Sequence, residues 1–533
     1  MKTVAMKVNQ ANLVKGLKYS FTNRTTMLGE LMQNARRAGA TQVVFEFAPE
    51  AKTLKVVDDG CGIESIETLL TVAESGWDAD VVAQEHPFGI GFISALFACR
   101  HLTVASKSGQ ICVDTEQVLS FEPVTVNPLS DWDGLTIISM AGVDIDAEKL
   151  AETLEKLAKG FPIPVSLNGK ALGRPHALDS GVDFTKADIG LIHLANLCDP
   201  NNPAKDFEVY LQGMPIFRSS RFRFGDHVIH LDSSKFFARL PDRDKLVDES
   251  EVVIQIQEAL KAEAEKWLYA EKQRLPSDTF VEFFETLKHW GLLALLNDVD
   301  VVPVDAFTVI GAYPVCDIDN YASFEERPKA PLSRAEVENR QVELVICGED
   351  IRSDGAARYM FAWLRGSYLF QRNLDKGHWL HPYVRDLGSQ TLAIECVNES
   401  AYVVFDGSWV NVGVQFCDSY RIKIGDDVVD IADHACYLGY DAGDYVVMPK
   451  ARLSSAVIEQ VATFKTEYDE YQVSTHDDDC DKFFSFLVAN TAKNPVDALK
   501  QLLGNFKGCP ALFGKSFILN LDASGNITYV AQA

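Results

Sequence analysis

Positive charge is what this 533-residue chain has least of. Its 50 Lys and Arg stand against 76 Asp and Glu, a net charge of −26. Such a surface repels phosphate backbones, so broad nucleic-acid binding is disfavoured unless a basic patch is gathered locally. No run approaches the ~18 to 20 uninterrupted apolar residues that a membrane span needs, and residues 1–16 lack the apolar stretch of a secretory signal. The eleven cysteines, scattered from Cys61 to Cys509, contain no CxxC pair. An odd, dispersed set points to reduced thiols and a cytoplasmic location rather than a disulfide framework. Internal repeats and low-complexity linkers are also missing. What is present, 47% hydrophobic and 24% charged residues, is ordinary for a globular protein. The length exceeds what one core can serve, so several domains are expected.

The chemistry gathers in the first hundred residues. Residues 25–38 read as a helix, with Leu28, Leu31, Met32 and Ala35 as its apolar stripe and Gly39 as its terminator. Glu30 and Asn34 are four apart and share one helix face. A carboxylate that orients water beside an oxygen that ligates Mg²⁺ would use this spacing for phosphoryl transfer; a solvated polar face would show it too. Residues 41–47 alternate as a strand, and 54–57 form a second that runs into Asp58-Asp59-Gly60-Cys61-Gly62. A carboxylate at a strand end, followed by Gly-x-Gly, can set an acceptor for adenine's amine and bare backbone against a flat base. An acidic hairpin turn has the same composition. Phe88-Gly89-Ile90-Gly91-Phe92 then opens a helix after a glycine loop, where free amides bind phosphate.

In order and spacing these three blocks resemble the superfamily of ATPases that includes gyrase, heat-shock protein 90, histidine kinases and MutL. Residues 88–95 and 102–107 are similar to the heat-shock protein 90 segment after the nucleotide lid, and Ala73-Glu74-Ser75-Gly76 resembles the start of that lid. The resemblance implies an α/β sandwich that binds ATP and Mg²⁺. Glu30 would be the water-activating base and Asn34 the Mg²⁺ ligand. Asp58 would hold the adenine amine with Gly62 beside the base, while Gly89, Gly91 and Phe92 would offer phosphate-binding backbone. The chain departs from the pattern at three positions. Arg37 stands where the family often has Asp, and His86 where it has Gly. Gly134-Leu135-Thr136 replaces a Gly-Thr pair, with Leu135 in the usual threonine position and Thr136 as the candidate adenine-side hydroxyl.

Beyond this point the pattern alternates strands with helices, including strands at 207–211 and 227–231 and a long helix at 251–274. The loop Leu240-Pro241-Asp242-Arg243-Asp244-Lys245 resembles the heat-shock protein 90 segment carrying a γ-phosphate-sensing arginine, which would be Arg243, with Lys245 as the gyrase-like alternative. The fold class expected is α+β and multidomain. An ATP-binding domain would occupy 1–145, a second α+β domain 146–275, a domain of unassigned role 276–435 and a C-terminal region 436–533. Residues 279–296 read as helical, 477–481 as an acidic turn, and His378 and His381 as a weak metal pair. The family implies an ATP-driven clamp that remodels a protein partner, with an ATP-dependent homodimer among its assemblies. A DNA clamp like MutL or gyrase, or a binding-only module, is the alternative; a histidine kinase fits less well.

Overall fold

The computed structural model describes residues 24–72, 77, 91–197, 199–200, 203–204, 206–219, 227–239, 245–314, 324–348, 351, 355–408, 410–439, 445–450, 457, 473–503, 506 and 508–533, with 9, 12, 14 and 16 near the start. The chain divides into two compact units: residues 1–276 with 282–292, and residues 277–281 with 293–533.

The first unit opens with helix α1 (Thr26–Arg37), which buries Met27, Leu28, Leu31, Met32 and Ala35. It ends in a Schellman-type closure: Gly39 donates to the Arg36 carbonyl and Ala40 to that of Ala35, both at 3.0 Å. Strands β1 (Val43–Ala48) and β2 (Thr53–Asp58) follow as an antiparallel pair. Val43, Phe45 and Phe47 of β1 face inward, as their alternation predicts. Short helix α2 (Ile93–Ala98) leads into β3 (His101–Ser106), β4 (Gly109–Asp114), helix α3 (Thr115–Leu119) and β5 (Thr136–Ala141).

Helix α4 (Ala147–Ala158), β6 (Val165–Leu167) and β7 (Lys170–Ala171) come next. The sheet runs in the order β4-β3-β5-β2-β1-β6-β7. Since β6 pairs in parallel with β1, and Leu150, Leu154, Phe161, Val165 and Leu172 share the core of α1, the expected boundary at 145/146 falls inside one layer. The reason is physical: α4 packs Leu150 and Leu154 into the core that α1 shares with the sheet. Asn168 and Gly169, both at positive φ (48° and 78°), make the tight turn expected of an Asn-Gly pair.

A second sheet in the same unit contains β8 (Thr185–Ala187), β9 (Gly190–His193), β10 (Phe207–Leu211), β11 (Met214–Arg218) and β12 (His227–Leu231), in the order β11-β10-β12-β9-β8. Strands β10 and β12 are buried along their whole length and pair in parallel. Helix α5 (Glu249–Arg274) lays Val252, Ile256 and Leu260 against this core.

The second unit is richer in strands. Residues 401–406, 411–417, 445–449 and 436–438 form a four-stranded sheet, so the boundary expected at 435/436 cuts through a sheet. The stretch expected to be helical over 279–296 passes between the units and is interrupted at Gly291, which takes φ +67° and caps the helix Phe284–Trp290 of the first unit. The acidic run 477–481 is not a turn but part of the helix Val473–Thr491. Asp479 faces inward there, 1% exposed, and accepts hydrogen bonds from the Ser408 and Val410 amides at 2.8 and 3.2 Å. Phe483 and Leu487, one and two turns further on, are buried in the core beside the four-stranded sheet. Among the described residues no helix is long and apolar enough to cross a membrane.

Candidate nucleotide site

The two adjacent aspartates at the end of β2 do different jobs. Asp59 turns back to the segment after α1, where its carboxylate accepts from the Thr41 amide (2.7 Å), the Thr41 hydroxyl and the Gln42 amide (3.2 Å). Burial pushes its pKa upward, but these bonds outweigh it and hold the carboxyl below its ordinary value. Asp59 is thus a clamp between α1 and β2. Asp58 points the other way and is 9% exposed. Burial, opposed by one hydrogen bond from the Gly60 amide at 3.1 Å and reinforced by the Asp59 charge, raises its pKa to about 6. A buried carboxylate poised in this way makes Asp58 a candidate functional residue.

Thr136 lies directly across the sheet from Asp58, in register. Its hydroxyl is 2.9 Å from that of Ser106, which accepts from the Ile63 amide at 2.9 Å. Ser106 is wholly buried and Thr136 is 5% exposed. The site therefore has a polar floor of Asp58, Thr136 and Ser106, reached from the Gly60–Ile63 turn. Ser106 was not among the expected site residues. Its signal was a hydroxyl in the inward register of β3, whose pattern buries Leu102, Val104 and Ser106. Gly62, at φ +79°, comes against Trp132: a Cβ would stand 2.8 Å from that ring and 2.9 Å from Lys107 Cβ. Only glycine fits there. Trp132 in turn donates to the Leu135 carbonyl at 2.7 Å, so the Leu135 backbone holds the ring that packs against Gly62.

On the other side, α1 and α2 bring two expected elements together. Glu30, 7% exposed, lies against Gly91 so closely that a Cβ on Gly91 would overlap its carboxylate. Phe92 is 8% exposed and belongs to the core, which leaves its backbone, not its ring, for a ligand. Gly89, Arg243, His86 and residues 73–76 lie outside the described residues. Lys245 is described, and its carbonyl accepts from the Arg239 amide at 2.7 Å.

The expected Mg²⁺ ligand is differently engaged. Asn34 Oδ1 accepts a hydrogen bond from Arg37 Nη1 at 3.2 Å. A metal ligated by this oxygen would sit beside the guanidinium that donates to it, and the two positive charges repel. The side chains here therefore do not fit Mg²⁺ at Asn34. His378 and His381 are likewise engaged with their own loop: His378 Nδ1 accepts from the Leu380 amide at 3.1 Å, and His381 Nε2 lies 2.8 Å from the Asp375 carbonyl.

Residues 20–127 match the family model described as Histidine kinase-, DNA gyrase B-, and HSP90-like ATPase. No curated protein matches the chain. The matched segment contains α1 to α3, β1 to β4 and Asp58, Gly62 and Gly91; Thr136 lies just past it on the adjoining strand. The chain is thus a mixed α/β, multidomain protein that carries an ATPase domain of the gyrase, heat-shock protein 90 and histidine-kinase type over residues 20–127.

Proposed function

We propose that this protein binds ATP between Asp58 and Gly91 and hydrolyses it, with Glu30 as general base. The observation that carries the reading is the raised, buried Asp58 carboxyl beside Thr136 and Ser106, inside a domain of ATPase type. In this reading the Asp58 carboxylate accepts from adenine's exocyclic amine, a donor that guanine does not present at the same edge. Thr136 and Ser106 fix the turn that carries Gly62 against the base. Glu30 takes a proton from water as its oxygen attacks the γ-phosphorus, and ADP leaves with the bond electrons. The close approach of Glu30 to Gly91 supports placing base and phosphate loop together.

The wider role we propose is a conformational clamp acting on a protein partner in the cytoplasm. Arg243 would sense the γ-phosphate and ATP would favour a homodimer. The charge of −26 favours a protein partner over DNA. A pulldown with Glu30→Ala held in ATP tests this: recovered protein clients support remodelling, and co-purified DNA would move the role to a DNA clamp.

A further inference from the structure

Arg37 is the feature that this reading does not absorb. It lies seven residues after Glu30, two turns along α1 and on nearly the same face, and Asn34 lies between them. Its guanidinium donates to Asn34 Oδ1 at 3.2 Å. Guanidinium binds phosphate oxygens through paired donors in a fixed plane and stays charged at every accessible pH. One guanidinium could offer a triphosphate a fixed positive charge on the protein itself, where a bound divalent ion usually brings two.

We propose that Arg37 takes the place of Mg²⁺ in this site, so that the protein binds ATP without a divalent metal. Asn34 is then a positioning residue: its carbonyl holds the guanidinium toward the face shared with Glu30. The inference rests on the ATP-site reading above, and the test separates the two.

The experiment is isothermal titration of ATP into the full-length protein, once with Mg²⁺ and once with EDTA. The expected dissociation constants agree within about threefold. Arg37→Asp restores an acid at this position and should make binding metal-dependent, at least about tenfold weaker in EDTA than in Mg²⁺. Arg37→Gln keeps a donor for Asn34 and removes only the charge; it should show the same loss in EDTA, and circular dichroism checks that both variants fold. Wild-type binding that requires Mg²⁺ would overturn the proposal, as would an Arg37→Gln variant that still binds normally in EDTA, since Arg37 would then only balance the helix terminus. No ATP binding in either buffer would instead sink the site reading itself, and this inference with it.

Discussion

At the scale of single residues, Asp58 links stability and function in opposite senses. Its folded-state pKa of about 6 lies above the ordinary 3.8. The native state therefore holds the proton more tightly than the unfolded chain. The stability this lends is fully present below the unfolded value, falls as pH rises towards 6, and is gone above it. A shift of this size corresponds to about 3 kcal/mol. Asp58→Asn should accordingly raise the urea midpoint of the ligand-free protein at pH 7, and raise it less at pH 5. The same change should weaken ATP binding by one to two decades, the worth of about 1.5 to 3 kcal/mol for a charge-assisted hydrogen bond. Wild-type affinity should also drop as pH falls below about 6, and Asp58→Asn should lose that slope. An unchanged midpoint and dissociation constant would remove Asp58 from the pocket. Glu30 behaves otherwise: Glu30→Ala should abolish turnover and leave binding nearly intact, because the base acts only on the attacking water. If titration showed binding lost along with turnover, Glu30 would be structural.

At the scale of elements, apolar patterning read well, both as a helical stripe and as short apolar runs. The helix over 25–38 and the strands at 207–211 and 227–231 lie within a residue of the structure. Reading by composition misled where burial reversed the usual meaning of a residue. Asp477 to Asp481 looked like a solvated turn, yet Asp479 is the polar anchor of a helix whose Phe483 and Leu487 make the apolar stripe. Alternation alone could not show that Ser106 would meet Thr136, because that pairing depends on β3 and β5 becoming neighbours. Two predictions belong here. Asp479→Ala should destabilise the second unit by about 1 to 3 kcal/mol, leaving the Ser408 and Val410 amides unsatisfied. Asp478→Ala, at an exposed ion pair with Lys482, should cost under about 1 kcal/mol. Equal urea midpoints for the two variants would contradict the anchoring role. Gly91→Ala should push the Glu30 carboxylate aside and cut turnover at least about tenfold while adenosine still binds. Normal turnover would show that the loop and the base are not coupled.

For the whole molecule, the described candidate residues Glu30, Asn34, Asp58, Gly62, Gly91, Phe92 and Thr136 all lie in one compact unit, residues 1–276 with 282–292. Spacing in sequence picked out the candidate residues because they fall at strand ends and on one helix. It did not make the division of units legible, since a helix and a strand beyond residue 146 close the first sheet. Arg243→Ala should leave ADP binding near normal and reduce ATP turnover at least about tenfold, the loss of ~1.4 kcal/mol of transition-state stabilisation. Turnover at the parental rate would confine catalysis to the ATPase-type domain. The most direct test of the central claim is calorimetric titration of the Glu30→Ala protein with ATP and with GTP, which separates recognition from hydrolysis. The account predicts saturable binding of ATP, GTP weaker by at least about tenfold, and loss of that preference in Glu30→Ala/Asp58→Asn. Absence of ATP binding, or equal affinity for the two nucleotides, would contradict it.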